Sequence, residues 1–161
     1  MSQKFLSFLV ILFLTSQVFT SAAQQKYQTA IGLRGGYPSG VTLKQFLSKD
    51  SAAEGILSFG WGGIGVTGLF QLHNTVPDLP GVVWYYGLGA HFATAKSDQN
   101  SPFAGGLGGE LYLGADGIIG LEYVFEKAPI SVSLDILPLL NLVNDFGVWF
   151  NTGLSLRYAF K

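Results

Sequence analysis

GVWFNTGLSLRYAF, residues 147–160, is the stretch whose reading decides the fold. Val148, Phe150, Thr152, Leu154, Leu156, Tyr158 and Phe160 recur at every second position, with Trp149, Asn151, Gly153, Ser155, Arg157 and Ala159 between them. A period of two sends the first set to one face of a β-strand and the second to the other. One face is apolar and rimmed by aromatics. The other is small, polar or charged, with Trp149 the exception. Two environments produce such a strand. Lipid on one side and a polar barrel interior on the other is the first. The half-buried sheet of a soluble protein is the second.

The N-terminus bears on that choice. Lys4 gives a positive start, Phe5 to Phe19 is mostly apolar, and Ser21-Ala22-Ala23 supplies small residues. This three-part pattern predicts a secretory signal peptide over residues 1–23, cleaved after Ala23. A membrane helix fits less well. The run is shorter than the ~20 apolar residues of a span, and Ser7, Thr15, Ser16 and Gln17 interrupt it. Residues 24–161 are then one exported domain.

Composition agrees with export to a membrane. Charged residues make up 12% of the chain, about half the share usual in soluble domains. Hydrophobic residues reach 48%, yet no run beyond the leader is long enough for a membrane helix. The apolar content is spread over short segments, as strands would spread it. Many of the 22 glycines fall inside β-like segments, where a tightly curved barrel uses them to relieve crowding. With no cysteine, disulfides cannot stabilise the domain, and a closed hydrogen-bonded barrel is one alternative. The formal charge of −1 excludes a nucleic-acid surface.

Alternation and turn residues predict eight strands: 27–37, 41–47, 53–61, 64–73, 82–92, 117–125, 130–137 and 147–160. Pro38-Ser39-Gly40, Ser48 to Ser51, Gly62-Gly63 and the Pro77/Pro80 segment mark turns. The longest connection is placed at Ala93 to Asp116, and Pro138 to Phe146 is read as another. Leu111-Tyr112-Leu113 extends the sixth strand or forms a separate hairpin, which would give ten strands. An even count puts both termini of the barrel on the periplasmic side and the longest connection on the outward side.

The faces follow from the same period. Leu33, Leu43, Leu57, Phe70, Leu88, Leu121 and Leu134 point outward, with Tyr37, Trp61, Trp84, Tyr123, Tyr158 and Phe160 near strand ends as interfacial aromatics. Gln71, Tyr85 and His91 point inward. So do three bases, Arg34, Lys44 and Arg157, and three acids, Glu54, Glu122 and Asp135. Every charged residue of a strand core falls on this side. An unpaired buried charge costs several kcal/mol, so the six are expected to form one structural network across the lumen. Eight strands leave an interior just wide enough for side chains, which implies a plugged barrel rather than a conducting pore.

With leader, alternating segments, inward charges and aromatic terminus together, the chain resembles the small outer-membrane β-barrel proteins of Gram-negative bacteria. Trp84-Tyr85-Tyr86-Gly87 and Gly120-Leu121-Glu122-Tyr123 are similar to segments of uncharacterised barrels of this sort. The resemblance implies an all-β, antiparallel, up-and-down transmembrane barrel located in the outer membrane. It also implies contact with lipid and with the barrel-assembly machinery during biogenesis. That machinery reads a C-terminal signal usually ending on an aromatic; here Lys161 follows Phe160.

Chemistry is not expected from the motifs. Lipid A deacylases among such barrels carry a histidine and a serine two residues apart, whereas Phe92 and Ala93 follow His91. Their active groups also face lipid, and His91 faces inward. His73 and His91 without cysteine make no recognisable metal site. Gly105 to Gly109 lacks the Lys-Ser/Thr of a phosphate loop. No cofactor is expected. Two further readings are a secreted or periplasmic lipocalin-like barrel, which needs an apolar interior, and a lipid-modifying barrel enzyme, which needs a nucleophile beside His91.

Overall fold

The structure, a computed structural model, describes residues 27–36, 39–60, 63–95, 110–143 and 146–160. The predicted leader lies outside the described residues, as do Tyr37, Trp61 and Gly105 to Gly109. Eight strands follow in order: β1 (Thr29–Gly36), β2 (Ser39–Phe46), β3 (Ser51–Gly60), β4 (Gly63–Thr75), β5 (Val82–Ala95), β6 (Glu110–Val124), β7 (Ile130–Asn141) and β8 (Gly147–Phe160). Each pairs antiparallel with the next, and β8 returns to β1, so the sheet is a closed barrel. Thr29 lies opposite Phe160, which puts the start of β1 and the end of β8 at the same mouth of the barrel.

The faces divide as the period of two requires. Leu33, Leu43, Phe70, Leu88, Leu134 and Leu156 are exposed on the outer surface. Arg34, Lys44, Glu54, Glu122, Asp135 and Arg157 are buried inside.

Several boundaries differ from the sequence reading. The connection placed at Ala93 to Asp116 is shorter, because β5 continues to Ala95 and β6 begins at Glu110. Leu111 and Leu113 face out while Tyr112 is fully buried, so this segment extends the sixth strand. The ten-strand alternative is therefore set aside. Pro138, read as the start of a connection, lies inside β7, which runs on to Asn141. The ladder makes room for it. Pairing passes from Asp116 opposite Leu139 to Ile119 opposite Ile136, skipping the proline level. A Cβ on Gly117 would sit 3.2 Å from the Pro138 ring, so glycine fits the ring there. Proline has no N–H to donate, and a break in the ladder is where a strand tolerates it.

Glycine also permits the strong curvature of a small barrel. A Cβ on Gly32, Gly40 or Gly87 would collide with the carbonyl oxygen of Leu156, Leu57 or Phe70 on the neighbouring strand. At the β4–β5 turn, Asp78 and Gly81 adopt φ of 65° and 92°, and Val82 donates to the Leu79 carbonyl at 3.1 Å.

Closure is directly testable. Ile31 and Tyr158 lie opposite each other across the β1–β8 seam. Ile31→Cys with Tyr158→Cys is expected to form an intramolecular disulfide on oxidation, since such positions lie within bridging range. Ile31→Cys with Ile136→Cys, one strand further round, should not. Mass spectrometry of the oxidised, folded protein distinguishes the two.

Candidate functional site

Closure turns the inner face into a core, and the polar groups there are the candidate site. Its side chains form layers along the barrel. At the end holding Thr29 and Phe160, an apolar cap is built from Tyr27, Ala30, Phe46, Ala52, Val124 and Ala159. Above it lies a charged layer. Glu54, 2% exposed, accepts from Arg157, Thr42 and Gln71, the last at 2.5 Å, and lies 3.7 Å from Lys44. Lys44 also donates to Glu122 at 3.2 Å. Glu122 accepts from the Tyr27 hydroxyl at 2.7 Å. Arg157 spends a second donor on Ser133 at 2.7 Å. Each charge therefore faces an opposite charge and further hydrogen-bonding groups, which is what a desolvated ion needs.

Arg34 and Asp135 stand apart from that cluster. Their guanidinium and carboxylate meet bidentately at 2.7 and 2.6 Å. The Tyr85 hydroxyl adds a third bond to Asp135 at 3.1 Å. Tyr85 links the two groups physically. Its ring lies 4.3 Å below the Lys44 ammonium and stacks on His73 at 5.1 Å. The six charges thus resolve into one pair and one cluster of four, joined through an aromatic ring. The repulsion between Arg34 and Arg157, on adjacent strands, is offset because each is turned toward its own acid.

Further up, the lumen is not uniformly polar, which corrects the sequence reading. Ile56, Leu69, Ile118, Leu137 and Leu139 pack with Tyr85 into a second apolar layer, and Trp149 lies against it. A cavity of about 30 Å³ adjoins this layer, lined by Arg34, Ser58, Thr67, His91, Leu137 and Asn151. That is room for one or two waters.

The outermost polar group holds two residues that the sequence reading missed. His91 contacts Asp116 through Nδ1 at 2.7 Å and the Asn141 side-chain oxygen through Nε2 at 2.9 Å. Asp116 and Asn141 fell inside supposed connections, so their parity was not read. The signal was available: Tyr112, Gly114, Asp116 and Ile118 continue the inward alternation of β6. Among the described residues, no three His, Cys, Asp or Glu side chains are grouped to hold a metal ion.

These features define a class: a closed, eight-stranded, all-antiparallel barrel with apolar residues outside and paired charges within. No protein-family profile matches the chain, and no curated protein matches it in sequence. Among solved structures it is similar to the N-terminal β-barrel domain of Pseudomonas aeruginosa OprF, with a TM-score of 0.62 at 17% identity. The match covers 85% of this chain and 98% of that one, and it concerns the fold.

Two substitutions probe the site. Asp135→Asn leaves Arg34 buried without its counter-ion and should cost about 3–5 kcal/mol. The urea midpoint of the barrel refolded in micelles should fall accordingly, and Arg34→Met combined with Asp135→Leu should restore most of it. Gly153→Leu places a side chain where the Arg34 guanidinium lies and should destabilise to a similar degree. That cost should shrink when Arg34 is Met, which a double-mutant cycle measures.

Proposed function

We propose that this protein is an integral outer-membrane β-barrel, non-enzymatic, with a plugged interior and its long outward connection as a contact surface. The observation that carries this reading is the inversion of polarity. Leu88 and Phe150 are 75% and 74% exposed on the outer wall, whereas Arg157 and Glu54 are 1% and 2% exposed inside. Soluble monomers rarely expose contiguous apolar patches beyond a few hundred Å². Here the apolar face runs round the barrel, and hydrocarbon is the solvent that suits it. The aromatic pairs Trp84–Tyr86, Tyr123–Phe125 and Tyr158–Phe160 cluster toward one end of the strands, where an interfacial girdle belongs.

The lipocalin-like alternative requires an apolar interior and a polar exterior, and the charges lie on the wrong side for it. The lipid-modifying alternative requires a nucleophile beside His91. That imidazole is instead engaged with Asp116 and Asn141, inside the barrel. The paired charges, the two apolar layers and the small cavity favour a filled lumen over a conducting one.

Expression of the precursor followed by fractionation tests the reading. The protein should appear in the outer-membrane fraction and migrate differently in SDS gels when unboiled. Recovery as a soluble periplasmic protein with no shift on boiling would sink it. In planar bilayers the refolded barrel should show no steady conductance.

A further inference from the structure

β8 outlasts one of its neighbours. It pairs with β1 from Phe160 opposite Thr29 to Gly153 opposite Gly36, where β1 ends. On its other side it pairs with β7 as far as Gly147 opposite Asn141. Residues 147–152 are therefore laddered along one side only.

Parity identifies the backbone groups left over. In an antiparallel sheet successive residues turn their N–H and C=O toward opposite neighbours. Leu156 and Thr152 turn their carbonyl oxygens toward β1, so closely that a Cβ on Gly32 or Gly36 would collide with them. The same parity turns Phe150 and Val148 to the side where β1 has stopped. β7 cannot take the Phe150 groups back, because Pro138 lies opposite and has no N–H to give. Among the described residues, no backbone group pairs with Val148 or Phe150 on the open side.

The usual protection of a free edge is missing here. Exposed edges are blunted by lysine, proline, a bulge or a very short strand. Gly147-Val148-Trp149-Phe150-Asn151-Thr152 has no charge and no proline, and its register with β7 runs without a bulge. Val148 and Phe150 are exposed on the outer side, while Trp149 and Asn151 face inward and are half-buried. At about 3.3 Å per residue and a tilt of about 40°, Phe150 lies roughly 25 Å above Phe160. The apolar band of such barrels is about that tall, so the free edge begins where hydrocarbon ends.

We propose that the β8 edge at Val148 and Phe150 is a docking site for an extended peptide segment of another protein, which adds as a strand antiparallel to β8. The inference goes beyond the membrane reading and takes from it only the side on which the edge lies. Main-chain groups of the incoming strand pair with Phe150 and Val148, as in other strand additions to an open sheet edge. Its side chains alternate, with β-branched apolar ones beside Val148 and Phe150 and small polar ones beside Asn151. Lipid does not fill this role, because acyl chains offer the backbone no hydrogen bond. Nor does a second copy. Two barrels upright in one membrane carry β8 in the same vertical sense, and strands tilted by about 40° then cross rather than run antiparallel.

The probe is a fluorescein-labelled peptide of alternating threonine and valine with a lysine at each end, added to the full barrel refolded into lipid discs. Anisotropy is expected to rise saturably, and hydrogen exchange at the Val148 and Phe150 amides to slow when the peptide is present. Phe150→Pro removes the N–H that faces the partner while keeping the β7 ladder, and should weaken binding about tenfold or more. Phe150→Thr keeps that N–H and should bind like the parent. Val148→Pro serves as the second variant if Phe150→Pro loses the gel shift of a folded barrel. A peptide N-methylated on its pairing side should lose affinity to the same degree. Absence of saturable binding at millimolar peptide, equal binding of the N-methylated peptide, or full binding by the folded proline variants overturns the inference. So does a barrel dimer joined through Phe150→Cys that the peptide fails to disperse. Flotation with lipid vesicles reads the membrane assignment separately. A barrel that binds the peptide at Val148 and Phe150 without floating keeps the docking edge and removes the membrane reading.

Discussion

The pairing of β8 with β1 is the contact on which everything else depends. An open eight-stranded sheet would carry two rows of unpaired N–H and C=O groups. Each such group costs several kcal/mol in hydrocarbon. The seam from Thr29–Phe160 to Gly36–Gly153 pairs the two edges along the whole of β1. It also fixes the interior at a width that side chains alone can fill. From that point the lumen obeys the rules of a core, although its residues are those of a surface. Arg34, Lys44 and Arg157 cannot remain there as solvated cations. Each is turned onto a carboxylate, and Arg157 spends further donors on Thr42 and Ser133.

Filling so narrow a space demands a second regularity, which explains much of the glycine. Large inward side chains lie directly opposite glycines on the next strand. Arg157 faces Gly32, Gln71 faces Gly87, Tyr85 faces Gly120 and His91 faces Gly114. A Cβ on Gly114 would collide with the His91 ring, and one on Gly120 would crowd the Tyr85 hydroxyl. The side chain of one strand thus occupies the volume that its neighbour leaves empty. This alternation of large and small is how close packing is reached when both partners sit on one curved sheet. Glycine here sets the positions of the charged groups as well as the curvature of the wall.

Parity was legible in the sequence because a period of two survives any error at the strand ends. Leu33, Leu88 and Leu134 read as outward, and Arg34, Tyr85 and Asp135 as inward, from alternation alone. Strand ends were less legible. Glycine and proline are punctuation in most sheets, so Gly114, Gly117 and Pro138 read as connection, yet in this barrel they are the sites where a tight wall bends. Asp116 and Asn141 were lost with those ends. Pairing partners were legible only between adjacent strands, as with Lys44 and Glu54. The Arg34–Asp135 bond runs from β1 to β7, passing over Gly153 on the β8 strand between them. It depends on the stagger of the strands, which local sequence does not encode.

The order of the layers bears on how the interior works. Charges alone would not close the lumen, because ion pairs in contact with water exchange partners at little cost. Here the charged layer lies between the Tyr27–Phe46 cap and the Ile56–Leu137 layer, both built from buried apolar side chains. Exclusion of water strengthens the ion pairs, and the fixed ion pairs in turn hold the walls at the spacing the apolar layers need. Opening a path would require parting an apolar layer and stripping at least one buried ion of its partner. The two costs fall together, which supports the filled interior proposed above.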